Sequence, residues 1–176
     1  MIISNEYKQE CKQLHETVPD WGTGGRKYAP VVERIVKDYA PKNILDYGCG
    51  KQTLSRELSK YRIIGYDPAL PGLDELPAPA DLVICTDVLE HIEPDCLEDV
   101  LDDLERVVRC HLFAVVVNRR ASQYLPDGRN CHLIIESHKW WIDKLWSRFD
   151  LLDYHSLKIG FSALFGAKHH EGNGLK

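Results

Sequence analysis

Short apolar runs alternate with amphipathic stretches along most of the chain. Residues 30–39, "PVVERIVKDY", place apolar side chains at helical spacing behind a proline. "ADLVICTD" (80–87) and "CHLFAVVVN" (110–118) are continuous apolar runs, which is typical of strands buried on both faces of a sheet. The pattern further predicts strands over 43–48 and 62–68, helices over 51–61, 94–109 and 137–149, and a terminal pair of strands over 150–169.

Strands that alternate with helices predict an α/β fold of the Rossmann-like, doubly wound type, with a mostly parallel sheet and helices on both faces. Asp95 is the expected N-cap of the helix over 94–109. We divide the chain into an N-terminal helix with a glycine-rich lid segment (1–29), one ligand-binding domain (30–170) and a flexible tail (171–176).

Length and composition fit one globular domain, because the chain has 176 residues, of which 44% are hydrophobic and 28% are charged. No apolar run approaches the roughly 20 residues that a membrane span needs. The first residues lack a basic start followed by an apolar block, so we expect no secretory signal.

The six cysteines form no CxxC pair. This pattern predicts buried, reduced thiols in a cytoplasmic protein, and no metal site.

A glycine turn follows the first predicted strand. Asp46 ends that strand, and Gly48-Cys49-Gly50 leads into the next helix, whose free N–H groups favour an anion. Twenty-one positions after Asp46, Asp67 ends the second strand, where a carboxylate can accept both hydroxyls of a ribose. Strand, GxG, helix, strand and terminal acid in this order predict a nucleoside-containing ligand.

The glycine spacing argues against a dinucleotide, since the GxGxxG fingerprint needs glycine where this chain has Thr53. An acid just before the turn suits a ligand with an ammonium group, as in S-adenosylmethionine. "ILDYGCGKQTL", "IIGYDPAL" and "ADLVICTDVLEHI" together resemble the class I S-adenosylmethionine-dependent methyltransferases over about residues 28–165. The resemblance implies a seven-stranded sheet with the last strand antiparallel, and a methyl donor lying across the strand ends.

The resemblance also implies roles for individual residues. The first motif would hold the methionine end of the donor, Asp67 would hold the ribose, and the two residues after it would flank the adenine. Glu90 and His91 would begin the wall toward the methyl acceptor. The implied donor contacts are Asp46, Gly48, Cys49, Gly50, Gln52, Asp67, Pro68, Ala69, Asp87 and Val88, with Trp21 from the N-terminal segment.

The chain departs from the family pattern at two places. Gln52 stands where the loop usually has a third glycine, and its side chain is expected to lean over the methionine end, crowding the donor or hydrogen-bonding it. The segment "PALPGLDELPAP" (68–79) is short, so that the usual third strand is hard to place within it.

Two further stretches bear on the acceptor. The glycine-rich segment "DWGTGGRKYAP" (20–30) is either a lid over the donor, with Trp21 packing on a ligand, or a linker with one core tryptophan. The long connection after residue 118 holds His132, which either orients or deprotonates the acceptor or only bonds loop backbone. His91 is the second candidate catalytic residue. Other chemically able groups in the connection are Arg119, Arg120, Tyr124, Arg129 and Glu136.

The distribution of charge along the chain is compatible with more than one class of methyl acceptor. Residues 109–176 carry ten basic and six acidic side chains, a net +4, whereas residues 1–108 carry a net −9. A small-molecule acceptor is the favoured prediction, since the domain is compact and carries no nucleic-acid module. The basic C-terminal part favours a nucleic-acid or nucleotide acceptor instead. Gln52 is the one feature that favours a non-catalytic donor-binding protein. The sequence leaves the oligomeric state undetermined.

Overall fold

The computed structural model describes residues 1–168, which contain one sheet of six strands. The first four strands along the chain pair in parallel, and the last one is antiparallel to both of its neighbours. This confirms a mostly parallel sheet with the last strand antiparallel. In the spatial order β2-β1-β3-β4-β6-β5, the strands are β1 (Ile44–Tyr47), β2 (Ile63–Tyr66), β3 (Ala80–Thr86), β4 (Val108–Val117), β5 (Phe149–Leu157) and β6 (Gly160–Ala167).

Helices cover both faces of the sheet, as predicted. Alternate residues of a strand face opposite sides, so Val83 and Cys85 of β3 pack in one core and Leu82 and Ile84 in the other. The first core includes α4 and α5, with Trp141 fully buried, and the second includes α2 and α3. The α-helices are α1 (Asn5–Thr17), α2 (Ala29–Tyr39), α3 (Thr53–Glu57), α4 (Leu97–Val107) and α5 (His138–Trp146), and 3-10 helices span Gly24–Tyr28, Leu89–His91 and Pro94–Cys96.

The expected seventh strand is absent from the described residues. Between β2 and β3 the chain forms consecutive turns, in which the Asp67 N–H donates to the Leu73 carbonyl at 2.9 Å. The prolines of this segment lack the N–H that a ladder requires, so β2 remains an edge strand. The four prolines are Pro68, Pro71, Pro77 and Pro79.

The predicted boundary of α4 was wrong at both ends. A 3-10 turn, Pro94–Cys96, precedes the helix, so Asp95 is not its N-cap. At the other end Val108 already pairs with Ala80 in the sheet.

The predicted helix over 51–61 reduces to the five residues of α3. Residues 169–176, which include the expected tail, lie outside the described residues. None of the helices in the described part is long and apolar enough to cross a bilayer.

Candidate active site

A cavity of about 450 Å³ lies at the carboxyl ends of β1, β2 and β3. This is where open α/β sheets bind ligands, and the volume suits a small molecule. The cavity brings together nearly all of the residues predicted from the sequence. Those that line it are Trp21, Asp46, Gly48, Cys49, Gly50, Asp67, Pro68, Ala69, Asp87, Val88, His91 and His132.

The GxG turn must be glycine because other parts of the protein approach its backbone. Gly48 and Gly50 have φ of 77° and 49°, in the left-handed region. A Cβ at Gly50 would lie 2.7 Å from the Gly22 carbonyl oxygen, and one at Gly48 would lie 2.4 Å from a methyl group of Val88. The packing of Gly22 and Val88 against the turn therefore requires glycine at both positions.

The glycine-rich segment is fastened to this turn. The Lys51 N–H donates to the Gly22 carbonyl at 2.8 Å, and the Lys51 ammonium donates to the carbonyls of Val18 and Pro19 at 3.0 and 2.9 Å. Trp21 lines the cavity and meets the His91 ring edge to face, with centroids 5.2 Å apart. Trp21 also packs against the buried cluster that includes Leu14 and Leu125, so the segment lies along the cavity and its function as a lid stays a prediction.

Asp67 is oriented by the backbone around it. Its Oδ2 accepts the Gly50 N–H and its Oδ1 accepts the Ala69 N–H, each at 3.0 Å. Burial raises the pKa of Asp67, although the two backbone N–H groups favour its charged form. A carboxylate keeps free lone pairs after two such bonds, so this one is held ready for donors from a ligand.

Asp46 lies deeper beside the cavity and is 4% exposed. Burial raises the pKa of Asp46 to about 7, and the charge of Asp67 adds to the shift. A cation arriving next to this carboxylate would favour its ionised form. The site can therefore receive an ammonium group close to the glycine turn.

The opposite wall is formed by residues that follow β3. Asp87 accepts the Tyr28 hydroxyl at 2.6 Å and the Lys27 ammonium at 2.5 Å. The next acid, Glu90, is fully buried, and its Oε1 accepts the Val117 N–H at 2.9 Å. Burial, followed by the charge of Asp87, raises the pKa of Glu90 to about 8. Two carboxylates thus lie close together on this side of the cavity.

The two predicted catalytic histidines lie side by side. His91 Nδ1 is 2.8 Å from the Cys131 carbonyl, and His132 Nδ1 bonds the Arg119 carbonyl. Their rings are perpendicular, with centroids 4.7 Å apart. Burial, and next the neighbouring His132, lowers the pKa of His91 to about 4, and burial also lowers the pKa of His132. His132 bonds loop backbone and also lines the cavity, and its catalytic role stays a prediction.

The long connection contributes fewer groups than its sequence suggested. Arg119 and Arg120 line the cavity. Arg129 instead pairs with Glu10 at 2.9 Å and with Asp127, and Tyr124 is exposed. Neither they nor Glu136 are among the residues that line the cavity.

Gln52 differs from its expected placement. It does not line the cavity, and its Cγ would lie 3.5 Å from a Cβ built at Gly65, which directs the side chain toward β2. Its backbone is left-handed, with φ of 55°. The crowding that favoured a non-catalytic donor-binding protein therefore has no support in this geometry.

Gln52→Gly should leave donor affinity unchanged and raise stability by about 1 kcal/mol, because glycine removes left-handed strain at some cost in unfolded-chain entropy. Ala40→Gly is the matched control, since Ala40 ends α2 with φ of 46°. Thermal melting and calorimetric titration with S-adenosylmethionine would check both variants. A loss of affinity in Gln52→Gly alone would show that Gln52 contacts the donor.

Helix α1 supplies cavity residues that the sequence analysis missed. Tyr7, Cys11 and His15 line the cavity, and His15 Nε2 lies 3.9 Å from Asp67 Oδ2. His15 Nδ1 is buried and has no hydrogen-bond partner among the described residues. The spacing of Tyr7, Cys11 and Leu14 marks one helix face, and His15 follows Cys11 by one turn. That spacing could have identified these residues as one face of a helix, but it does not show what the face packs against.

Comparisons with known proteins identify the family of the chain. A family model described as a methyltransferase domain matches residues 21–154. Among curated protein sequences, none matches the chain. One similar solved structure is the N-methyltransferase NodS of Bradyrhizobium japonicum WM9 in complex with S-adenosylhomocysteine, with a TM-score of 0.66, 14% identity and coverage of 91% of this chain and 100% of that one.

Two other solved structures share the fold. The 1,6-didemethyltoxoflavin-N1-methyltransferase of Burkholderia thailandensis has a TM-score of 0.68 at 14% identity, covering 96% of this chain and 92% of that one. An rRNA methylase from Escherichia coli has a TM-score of 0.55 at 13% identity, covering 94% and 78%. Because the family model spans most of the chain, the protein belongs to the methyltransferase-domain family and is a class I S-adenosylmethionine-dependent methyltransferase.

Proposed function

We propose that this methyltransferase transfers the methyl group of S-adenosylmethionine to a small-molecule acceptor. The observation that carries the proposal is the size of the cavity, which is about 450 Å³ and has the glycine-rich segment fastened along one side. A partly enclosed cavity of this size suits a compact acceptor better than a polymer. The compact domain predicted from the sequence favours the same acceptor class.

We assign the donor contacts as the resemblance to the methyltransferase family implies. Asp46 receives the ammonium of the methionine end, Gly48, Cys49 and Gly50 lie along it, and Asp67 accepts the ribose hydroxyls. Pro68 and Ala69 flank the adenine, while Asp87, Val88 and Trp21 face the donor from the other walls. All of these residues line one cavity, which supports the assignment.

Methyl transfer is an in-line displacement, in which the acceptor–carbon bond forms as the carbon–sulfur bond breaks. The donor is already activated, so the contribution of the protein is to hold the two reactants in line and to exclude water. In this proposal His91 and His132 lie beside the acceptor, as neutral imidazoles held by backbone carbonyls. The buried thiols Cys49, Cys85 and Cys131 are consistent with a cytoplasmic protein.

Donor affinity should depend on pH through Asp46. An ammonium ligand favours the ionised carboxyl, so binding releases a proton wherever the free site is protonated. With the pKa of Asp46 at about 7, affinity should rise by up to ~10-fold per unit between roughly pH 5.5 and 7 and then level off. The titratable groups that interact electrostatically with Asp46 are Asp67, Cys49 and Cys85.

Calorimetric titration across this range would measure the effect, with Asp46→Asn as the control. The variant cannot titrate at this position, so its affinity should be lower and nearly independent of pH. An equally steep pH dependence in Asp46→Asn would place the responsible group elsewhere.

A nucleic-acid acceptor is the second candidate, and Arg119 and Arg120 favour it because both line the cavity. Two arginines beside a donor site can hold a phosphate. Binding to RNA or DNA would then weaken steeply as salt concentration rises.

Transfer assays with labelled S-adenosylmethionine separate the two acceptor classes. The protein would be offered a fraction of small metabolites and, separately, total RNA and DNA. The proposal predicts label in the small-molecule fraction and none in the polynucleotides. Label in RNA or DNA, lost on raising the salt concentration, would replace the proposal with its alternative.

A further inference from the structure

Three side chains of metal-ligand type meet at the edge of the cavity. Glu90 and His91 belong to the 3-10 helix that follows β3, and His132 lies in the connection between β4 and α5. One ligand atom from each of the three lies within 4.8 Å of the other two. Forty residues separate the two histidines along the chain, so the fold, and not local sequence, creates this cluster.

In each imidazole, Nδ1 is hydrogen-bonded to a backbone carbonyl and Nε2 is available to bind a ligand. A carbonyl oxygen can only accept, so the Nδ1 atoms that bond the carbonyls of Cys131 and Arg119 carry the protons. The Nε2 atoms then carry lone pairs. Histidines that bind metal ions commonly donate their other N–H to a backbone carbonyl in this way.

Glu90 is fully buried, and only half of its carboxyl group is satisfied. Oε1 accepts the Val117 N–H at 2.9 Å, whereas Oε2 has no hydrogen-bond partner among the described residues. An unpaired polar atom in a buried position costs about 1–3 kcal/mol, and more for a charged group. A bound cation would remove this cost.

We propose that Glu90, His91 and His132 bind one divalent transition-metal ion. Two imidazole nitrogens and one carboxylate oxygen are the donor set of zinc and ferrous sites that keep coordination positions open. Magnesium and calcium prefer oxygen ligands alone, so they fit this set poorly.

The ligand atoms would move closer together when an ion binds. Ligand atoms about 2.1 Å from one ion lie ~3.4 Å apart in a tetrahedral arrangement, so binding would draw the three groups inward from their present spacing. Asp87 is not counted among the ligands, because Lys27 and Tyr28 already hold its carboxylate.

The position of the site gives the ion a part in acceptor binding. His91 and His132 both line the cavity, so the open coordination positions face the space given to the acceptor. An acceptor with a hydroxyl or carboxylate near its methyl-accepting atom would fill them and would be oriented by the ion. This extension to the acceptor rests on the proposed function, whereas the metal site itself does not.

The test is titration of chelator-stripped protein with Co²⁺, followed by its visible absorption, and with Zn²⁺ by calorimetry. The wild type should bind one equivalent of either ion. His132→Ala and Glu90→Gln should weaken binding by more than ~100-fold, since changing residues that only orient metal ligands already costs about 10- to 100-fold. His155→Ala is the control, because His155 is exposed and bonds only Asp153 among the described residues.

S-adenosylhomocysteine titration of the same samples shows whether each variant is folded. Absence of Co²⁺ and Zn²⁺ binding in a wild type that binds S-adenosylhomocysteine would overturn the metal site and leave the methyltransferase assignment intact. Equal metal affinity in wild type and in folded His132→Ala would overturn it as well. Metal binding that is lost in both ligand variants and kept in His155→Ala would support it.

Discussion

Replacement of Asp67 by alanine should weaken S-adenosylmethionine binding by about 1.5–3 kcal/mol, or roughly 10- to 150-fold, because hydrogen bonds to a charged group are worth this much. The carboxylate is already oriented by the N–H groups of Gly50 and Ala69, so little ordering is needed when a ribose arrives. Calorimetric titration of the folded variant measures the loss.

Asp74→Ala is the matched control. Asp74 lies in the same segment between β2 and β3, but its carboxylate pairs with Lys8 at 2.9 Å and does not line the cavity. Its removal should leave donor affinity unchanged. An Asp67→Ala variant that melts like the wild type and binds the donor equally well would contradict the placement of the ribose.

Gly50→Ala should destabilise the protein by about 2–6 kcal/mol and reduce donor affinity. A residue with a side chain at φ of 49° carries a strain of about 1–3 kcal/mol. The new methyl group would also lie 2.7 Å from the Gly22 carbonyl oxygen, and such overpacking costs typically 1–3 kcal/mol. Relief of the clash would separate the glycine-rich segment from the turn and break the bond from the Lys51 N–H.

Gly72→Ala is the matched control, because it introduces backbone strain without a new side-chain contact. Gly72 has φ of 84°, and a Cβ there would meet nothing within 4 Å, so only the conformational cost applies. Thermal melting should therefore show a larger loss in Gly50→Ala, and calorimetry should show reduced donor affinity only there. If the two variants were equally stable and bound the donor equally well, the Gly22–Gly50 contact would not hold the segment in place.

The sequence predicted the sheet well because strands buried on both faces leave continuous apolar runs. It misplaced the end of α4, since "VVR" (107–109) is as compatible with a helix as with the strand that follows. The resemblance implied a seventh strand that the proline-rich segment over 68–79 does not form. The prolines of this segment lack the N–H groups that the strand would need, so the family pattern does not hold here.

Most residues along the cavity were predictable because they follow strand ends at fixed spacing. The direction of the Gln52 side chain was not, since it depends on a left-handed backbone that residue order does not reveal. The cluster of Glu90, His91 and His132 and the approach of His15 to Asp67 join residues that are 40 or more positions apart. Such contacts depend on tertiary packing, for which a single sequence carries no direct signal.

The central claim is that the cavity at the strand ends binds S-adenosylmethionine. Its most direct test is calorimetric titration of the purified protein with S-adenosylmethionine, S-adenosylhomocysteine and NAD in parallel. Both sulfur ligands should bind with one site per chain, and NAD should not bind. Binding of NAD with similar affinity, or failure of both sulfur ligands to bind the folded protein, would contradict it.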